Sequence, residues 1–457
     1  MRNHAASFWL SVLSVLVLSV LSAGLACHAA PSPSPWEETL IKHKWDVIPE
    51  NWVSLGHPPN GTTIKLHIAL KAKRENALID ALHEVSHPRH PRHVLSTSNP
   101  LPGAYSRLRF RYGMHLSREQ VAELVAPHPD TLELVYSWLA FNDVPPSSIS
   151  MTRGGSWLTV AGIPICQANK ILRASYELYY HAWANATILR TVSYALPTAL
   201  HMHVKTVAPT TAFMSTRLLL QTQLSHSDGE AAQVNVTSRA SSDVLPRVKP
   251  EMKYVEPPFL RWLYNMPFDN PAPNDRNKLG IAGFANQFPD EKDLLTFIQK
   301  FRTDVDAPTA ANRIVKVVPV NDGVDERTTP VRRGNFDTQY SVALTYPTQI
   351  EYYTIGGVDV IGKDGLPQAG DFYFEWLLYM INMPNVPLTI SVPYSKRELD
   401  LPYEYMDYLC DLFADLGSRG VSILVASGDQ GVGHNVGGHS NGIVFSTTFP
   451  ASCTCGI

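Results

Sequence analysis

The chain has 457 residues, of which 44% are hydrophobic and 17% charged, the balance of a folded protein and not of a disordered one. That length exceeds one ordinary core and predicts two domains with additional segments. A net charge of -3 and an isoelectric point near 6.6 leave no basic footprint, which argues against nucleic acid as a partner.

Arg2 and His4 precede an uncharged apolar run over 8–26, followed by small residues and Pro31. Charged, apolar and small-residue regions in that order predict a signal peptide over 1–30, cut after Ala26 or near Ala30. The run is nearly long enough to span a bilayer, but no second apolar span follows. The expectation is therefore a secreted, extracellular protein that leaves the membrane once the signal is cleaved. Acceptor sequons at Asn60, Asn185 and Asn235 fit that route.

Residues 36–213 read as short elements with frequent turns. The segment 62–70 alternates as a strand does, and 71–85 follows with the period of an amphipathic helix. Ser117 and Gln120 have the spacing of a capping box ahead of a helix over 117–124. A further helix is predicted over 130–138, and two strands around Gly154-Gly155 within 148–160. This half is α+β. Residues 221–250 are rich in Ser, Gln, Asp and Ala without an apolar period, the composition of an exposed linker open to proteolysis.

Over 251–457 the pattern becomes regular. Strands are predicted at 278–284, 313–320, 350–355, 388–392 and 421–426. Helices over 290–301, 335–344, 372–381 and 403–416 alternate with them. Strands apolar on both faces and separated by helices predict a parallel sheet covered by helices. Ligands of such sheets sit beyond the carboxyl ends of the strands, so the glycine loop after Ala426 is the place for a site. Residues 93–110 and the last residues, 453–457, interrupt this regularity.

That loop, Ser427-Gly-Asp429-Gln-Gly431-Val-Gly433, lacks the Gly-Lys-Ser/Thr ending of a phosphate loop and misses the dinucleotide spacing. His434 and His439 are five apart, which one helix face does not bring together for zinc. Cys166, Cys410, Cys453 and Cys455 are available for disulfides whose pairing the sequence leaves open.

Several segments together resemble the sedolisin, or serine-carboxyl, peptidases of the tripeptidyl-peptidase type. Ser427-Gly-Asp429-Gln-Gly431 is similar to their SGDSG loop, and Asn335-Phe-Asp337-Thr-Gln-Tyr340 to their NLDVQY helix. Asn321-Asp-Gly323 and Lys278-Leu-Gly-Ile-Ala-Gly283 lie where the family has similar runs. Tyr112-Gly-Met-His-Leu-Ser117, Val125-Ala-Pro-His-Pro-Asp130 and Ser193-Tyr-Ala-Leu-Pro197 resemble the activation propeptide.

The resemblance implies a signal over 1–30, a propeptide over 31–220, a linker with the maturation site over 221–250, and a peptidase domain over 251–457. It implies an α+β propeptide followed by an α/β subtilisin-like sheet, acting on peptide or protein substrates. In the family a helix Glu takes the proton of the serine and an Asp one turn later orients that Glu. A carboxylate base works in acid, where a histidine is already protonated. The Asp of the glycine loop helps stabilise the oxyanion. By that correspondence Asp337 is the orienting carboxylate and Asp429 the oxyanion residue. Arg333 stands at the general-base position, and an arginine has no lone pair to accept a proton.

The family's Gly-Thr-Ser nucleophile motif does not occur among the 457 residues. The peptidase domain is therefore expected to be incomplete at its carboxyl end and inactive as given. No cofactor is expected here, since the family's calcium ligands come later still. The alternative is a secreted, non-catalytic binding or inhibitory module.

Mass analysis of secreted material is expected to find residue 1 removed and a glycan on at least one of Asn60, Asn185 and Asn235. An intact Met1 with all three asparagines bare contradicts the secretory assignment.

Overall fold

The computed structural model describes residues 34–87, 112–182, 185–214, 255–266, 277–284, 287–313, 315–323, 325, 332–356, 370–428, 433–435, 443–445 and 447–453. The expected signal (1–30), the interrupting segment (93–110) and the linker (221–250) lie outside the described residues, as does Asp429.

The amino-terminal body is built on β1 (Thr39–Lys44), β2 (Trp52–Gly56), β3 (Thr63–Leu70), β4 (Ile149–Met151) and β5 (Trp157–Pro164). It continues with β6 (Glu177–His181), β7 (Ala186–Arg190), β8 (Ser193–Pro197) and β9 (Val204–Ala208). Its helices are α1 (Ala77–Ser86), α2 (Arg118–Val125), α3 (Pro129–Phe141) and α4 (Ile165–Leu172). The main sheet is antiparallel in the order β4-β5-β3-β9.

Strand β3 decides how this body is used. Side chains alternate faces along a strand. Ile64, Leu66, Ile68 and Leu70 join Val135, Trp138 and Leu139 of α3 and Ala168, Ile171 and Leu172 of α4 in one core. The opposite face carries Lys65, His67 and Ala69 towards the second half of the chain, and Ala69 belongs to that half's core.

One local expectation changes and another holds. The helix expected over 71–85 begins at Ala77, because Asn76 sits in the left-handed region at φ 62° and Lys71 donates its N–H to His203. The capping box at Ser117 forms as the spacing predicted, with both reciprocal bonds present.

The second half contains α5 (Pro257–Leu263), β10 (Lys278–Gly283), α6 (Glu291–Phe301), α7 (Ala307–Arg313), β11 (Val315–Val320), α8 (Arg332–Thr345) and β12 (Gln349–Ile355). After these come α9 (Phe372–Asn382), β13 (Thr389–Val392), β14 (Lys396–Arg397), α10 (Tyr403–Ser418), β15 (Ser422–Val425), β16 (Gly433–Asn435), β17 (Ile443–Phe445) and β18 (Thr448–Phe449). Residue 313, expected to open a strand, instead ends α7.

Five strands form a fully parallel sheet in the order β11-β12-β10-β13-β15. Numbered by their sequence, that order is 2-3-1-4-5. Helices cover both faces, as the apolar strands require. Leu294, Ile298, Ala310 and Val342, from α6, α7 and α8, pack with Ile281, Val317 and Tyr352 on one face. On the other face α9 and α10 pack against Ala282, Tyr353, Ile355 and Ile390.

This distribution fixes the handedness of one connection. The crossover from β10 to β11 and the crossover from β11 to β12 move across the sheet in opposite directions, yet their helices lie on the same face. They therefore have opposite hands. The connections through α9 and α10 move with α8's direction but on the far face, and so share the hand of the first. Since nearly all such crossovers are right-handed, the β11–α8–β12 connection is the left-handed exception.

The two halves share one core. Ala69, Trp157, Ala208, Ala212 and Met214 are buried with Phe374, Tyr405 and Tyr408 of the second half. Trp157 lies edge-on to Phe374 at 4.8 Å and to Tyr408 at 4.2 Å between ring centroids. A disulfide joins Cys410 on α10 to Cys453 in the turn after β18, resolving one of the pairings left open by the sequence. Cys166 is free and exposed.

Replacing Trp157 by Ala is expected to cost about 3–5 kcal/mol, because the ring is fully buried and its cavity cannot collapse between a sheet and two helices. Urea unfolding checks this, and a loss below about 1 kcal/mol contradicts a shared core.

Candidate active site

The carboxyl edge of the parallel sheet collects the loops after β10, β11, β13 and β15 together with the amino-terminal ends of α8 and α9. The loop after β11 turns through Asn321 and Asp322, both at positive φ, and is tied down by the bond from Gly356 N–H to the Val320 carbonyl. Asn321 Nδ2 donates to the Gly356 carbonyl at 3.2 Å, which holds the edges of β11 and β12 together.

The left-handed connection delivers α8 to this edge. Its first turn is fixed by polar contacts with the segment after β10. Gly334 N–H donates to Gln287 Oε1 at 3.2 Å, and Asn335 Oδ1 accepts from Asp290 N–H while its Nδ2 donates to Asp293 at 2.7 Å. Thr338 Oγ1 returns a bond to the Gly334 carbonyl at 2.6 Å. A Cβ on Gly334 would lie 2.2 Å from the Phe288 carbonyl oxygen, so only glycine permits this approach.

Asp337 follows in the second turn, half-buried, with one carboxylate oxygen shielded from solvent. Arg333 belongs to the same helix, four residues earlier. Its side chain and Asp429 lie outside the described residues, so the structure carries the Asp337 end of the predicted pair alone. Ser427 and Gly428 lead from β15 towards Asp429, with Gly428 at φ 91°. The Ser427 carbonyl accepts from Thr448 Oγ1 at 3.0 Å, which fixes the base of the glycine loop against β18.

Sequence reasoning missed the polar contacts between the halves. Glu375, in the first turn of α9, accepts from Lys65 Nζ at 3.1 Å and lies 3.2 Å from His67 Nε2, all through Oε1. His67 is buried and its Nδ1 lies 3.0 Å from Thr159 Oγ1. Burial works to raise the Glu375 carboxyl, but His67 and Lys65 outweigh it and hold the group below the usual carboxylate range. Lys65 also donates to Asn321 Oδ1 at 3.0 Å, linking the amino-terminal body to the edge loop after β11.

Both ends of α9 are held as well. Buried Arg190 of β7 donates from Nη2 to the Gly370 carbonyl at 2.9 Å. Beside it Asp371 caps the helix through the Phe374 N–H and accepts from Tyr405 O–H at 3.0 Å. Burial pushes the Asp371 carboxyl up, with Arg190 pulling it back. At the carboxyl end Arg118 of α2 donates to the Asn382 carbonyl at 2.7 Å, one of the orphan acceptors every helix leaves. The sequence signal was Glu375 itself, a lone acid in the apolar run Phe372-Tyr-Phe-Glu-Trp-Leu-Leu378.

Among the described residues no three His, Cys, Asp or Glu side chains converge as a metal site requires. No helix among them is long and apolar enough to cross a membrane.

Comparison with known proteins bears on this arrangement. Residues 109–213 match the family model described as Pro-kumamolisin, activation domain. The tripeptidyl-peptidase SED2 of Arthroderma otae is 26% identical over 441 residues, covering 94% of this chain and 68% of that protein. The tripeptidyl-peptidase SED3 of the same organism is 27% identical over 449 residues, covering 92% and 69%. The probable tripeptidyl-peptidase SED2 of Trichophyton verrucosum is 26% identical over 438 residues. Over most of its length the chain is thus similar to tripeptidyl-peptidases, and it contains a match to an activation domain. The amino-terminal body contains the matched activation domain, and the parallel sheet is the α/β half that follows it.

Gly334→Ala is expected to destabilise the chain by about 1–3 kcal/mol, since its methyl meets main chain that cannot rotate away. Thermal unfolding measures this, and a neutral effect contradicts the docking of α8.

Proposed function

We propose that the chain is a secreted sedolisin-type zymogen unit, in which residues 31–220 clasp a subtilisin-like peptidase half over 251–457 and residues 221–250 hold the maturation site. The observation that carries this reading is the delivery of Asp337 to the carboxyl edge of the sheet by the left-handed connection through α8. The strand order 2-3-1-4-5 supports the subtilisin-like assignment. Substrates are peptides or proteins bound along that edge.

In the family's scheme the position of Asp337 orients a carboxylate base one turn earlier, and the position of Asp429, protonated in acid, donates a hydrogen bond to the developing oxyanion. Arg333 occupies the base position and takes up no proton. With no Gly-Thr-Ser among the 457 residues, these residues do not compose a complete hydrolytic site.

The grip on α9 favours a second reading, in which the amino-terminal body serves as a non-catalytic binding or inhibitory module for peptidases. Tight inhibition of an active tripeptidyl-peptidase relative by this chain supports it, and no inhibition counts against it.

The test of the first reading is tripeptide release at about pH 4. The chain as given is expected to release none. Joined to the carboxyl third of an active relative and carrying Arg333→Glu, it is expected to cleave. The same fusion retaining Arg333 is expected to be at least about 100-fold slower, the contribution of a general base. Activity from the chain as given, or equal rates with and without Arg333→Glu, overturns the assignment.

A further inference from the structure

Strands β2, β6 and β7 form a small antiparallel sheet of their own in the amino-terminal body, in the order β2-β6-β7. Its inner face is filled. Trp52, Tyr179, Ala186 and Ile188 pack there with Phe213, and the alternation of a strand turns their neighbours outwards. On the outer face Val53 lies opposite Tyr180, and Tyr180 opposite Thr187, one row across three strands.

That face is apolar and open on the β2 side. Val53 is 61% exposed, and Leu55, in the bulge that follows, is 58% exposed. Among the described residues β2 pairs with β6 alone, so its other edge carries no strand. Exposed apolar side chains on an edge strand invite pairing with another chain, and proteins guard such edges with charge, proline or a cover. The five residues of β2, Trp52-Val-Ser-Leu-Gly56, include neither a charge nor a proline.

A cover is attached to the same sheet. The hairpin from β6 to β7 carries Asn185, the acceptor of the sequon Asn185-Ala-Thr187. Asn185 is exposed and left-handed at φ 47°, with its N–H donating to the Ala182 carbonyl. Its side chain turns towards the outer face, where Tyr180 O–H donates to Asn185 Oδ1 at 3.4 Å. Nδ2 shares the amide carbon with that oxygen, so a sugar joined to it begins at the rim of the Tyr180 ring. Thr187, the third residue of the sequon, is exposed in the same row.

We infer that Asn185 carries an N-linked glycan whose first sugars lie on Tyr180 and cover the apolar outer face of β6 and β2.

The transfer joins Asn185 Nδ2 to the anomeric carbon of a lipid-diphosphate-linked oligosaccharide. The anomeric C–O bond breaks, the lipid diphosphate leaves with that oxygen, and the amide gives up one proton. One face of N-acetylglucosamine is lined by C–H groups, which meet the negative face of an aromatic ring while the hydroxyls stay in water. Neighbouring strands lie about 4.8 Å apart, so the row from Thr187 to Val53 is roughly 10 Å long. The paired N-acetylglucosamines of a glycan core, laid across the sheet, span it.

The inference goes beyond the zymogen reading and needs only the secretory route. The full chain is secreted from a eukaryotic host, and glycopeptide mass analysis is expected to find Asn185 occupied. The native protein is then compared with protein trimmed to a single N-acetylglucosamine and with protein fully stripped by an amidase. Nitration of Tyr180 by tetranitromethane is expected to run about threefold faster or more in the stripped protein than in the other two, the size of one aromatic contact. Light scattering at neutral pH is expected to show self-association of the stripped protein only, and Val53→Lys to abolish it. Asn185→Asp is expected to match the stripped protein, since Asp also tolerates the left-handed turn. Thr187→Ser, which keeps the sequon, and Asn60→Gln, which removes another, are expected to match the native protein. If Asn185→Asp is not secreted, the trimmed native protein gives the same comparison. An unmodified Asn185 overturns the inference, and a glycan at Asn60 in the same material leaves the secretory route standing. Equal Tyr180 reactivity in all three states, a stripped protein that stays monomeric, or a glycosylated one that pairs through Val53 overturns it as well.

Discussion

Burying Glu375 between a sheet and a helix is tolerable because Lys65 and His67 arrive with it. A carboxylate taken from water without such partners costs several kcal/mol and shifts to its neutral form. The placing of this pair constrains much else. Lys65 and His67 point one way because Ile64, Leu66 and Ile68 point the other, into the core of the amino-terminal body. Glu375 points back because Trp376, Leu377 and Met380 fill the core beneath the sheet. The period of a strand thus meets the period of a helix at one polar point. Arg190 and Arg118 fix the two ends of α9, a helix of 11 residues and about 16 Å.

The same constraint reaches the carboxyl edge. Lys65 holds Asn321 as well as Glu375, and Asn321 sits in the loop that leads from β11 towards α8. Arg190 holds the residue before Asp371, where α9 begins at that edge. An amino-terminal body that grips α9 is therefore coupled to two of the loops around the candidate site. This is the physical basis for reading the chain as a clasped zymogen and not as two independent domains.

Much of this was legible in the sequence where the signal is local. The strand over 62–70, the capping box at Ser117 and the strand–helix alternation after 278 each rest on a short period or cap. The small strands β1, β2, β6, β8 and β9 pair across long separations, as β1 with β8, and leave little trace in a short window. The start of α1 was placed too early because the amphipathic pattern runs back through Asn76, whose left-handed backbone breaks it. The left-handed connection through α8 has no sequence signal, since handedness follows from which face Val342 packs on. Asp337 was named through its motif. Glu375, Lys65, His67 and Arg190 were not, because a polar residue in an alternating strand reads as solvent-facing until a second layer covers it.

The central claim is that the two halves form one structure through α9 and α10, whatever the chain between them does. The direct measurement is to cut the chain between Met214 and Val255 with added protease and pass the product over a sizing column at neutral pH. The account predicts that the two fragments travel together, and that Arg190→Ala loosens them in the same run. Fragments that separate at neutral pH without any substitution would contradict it.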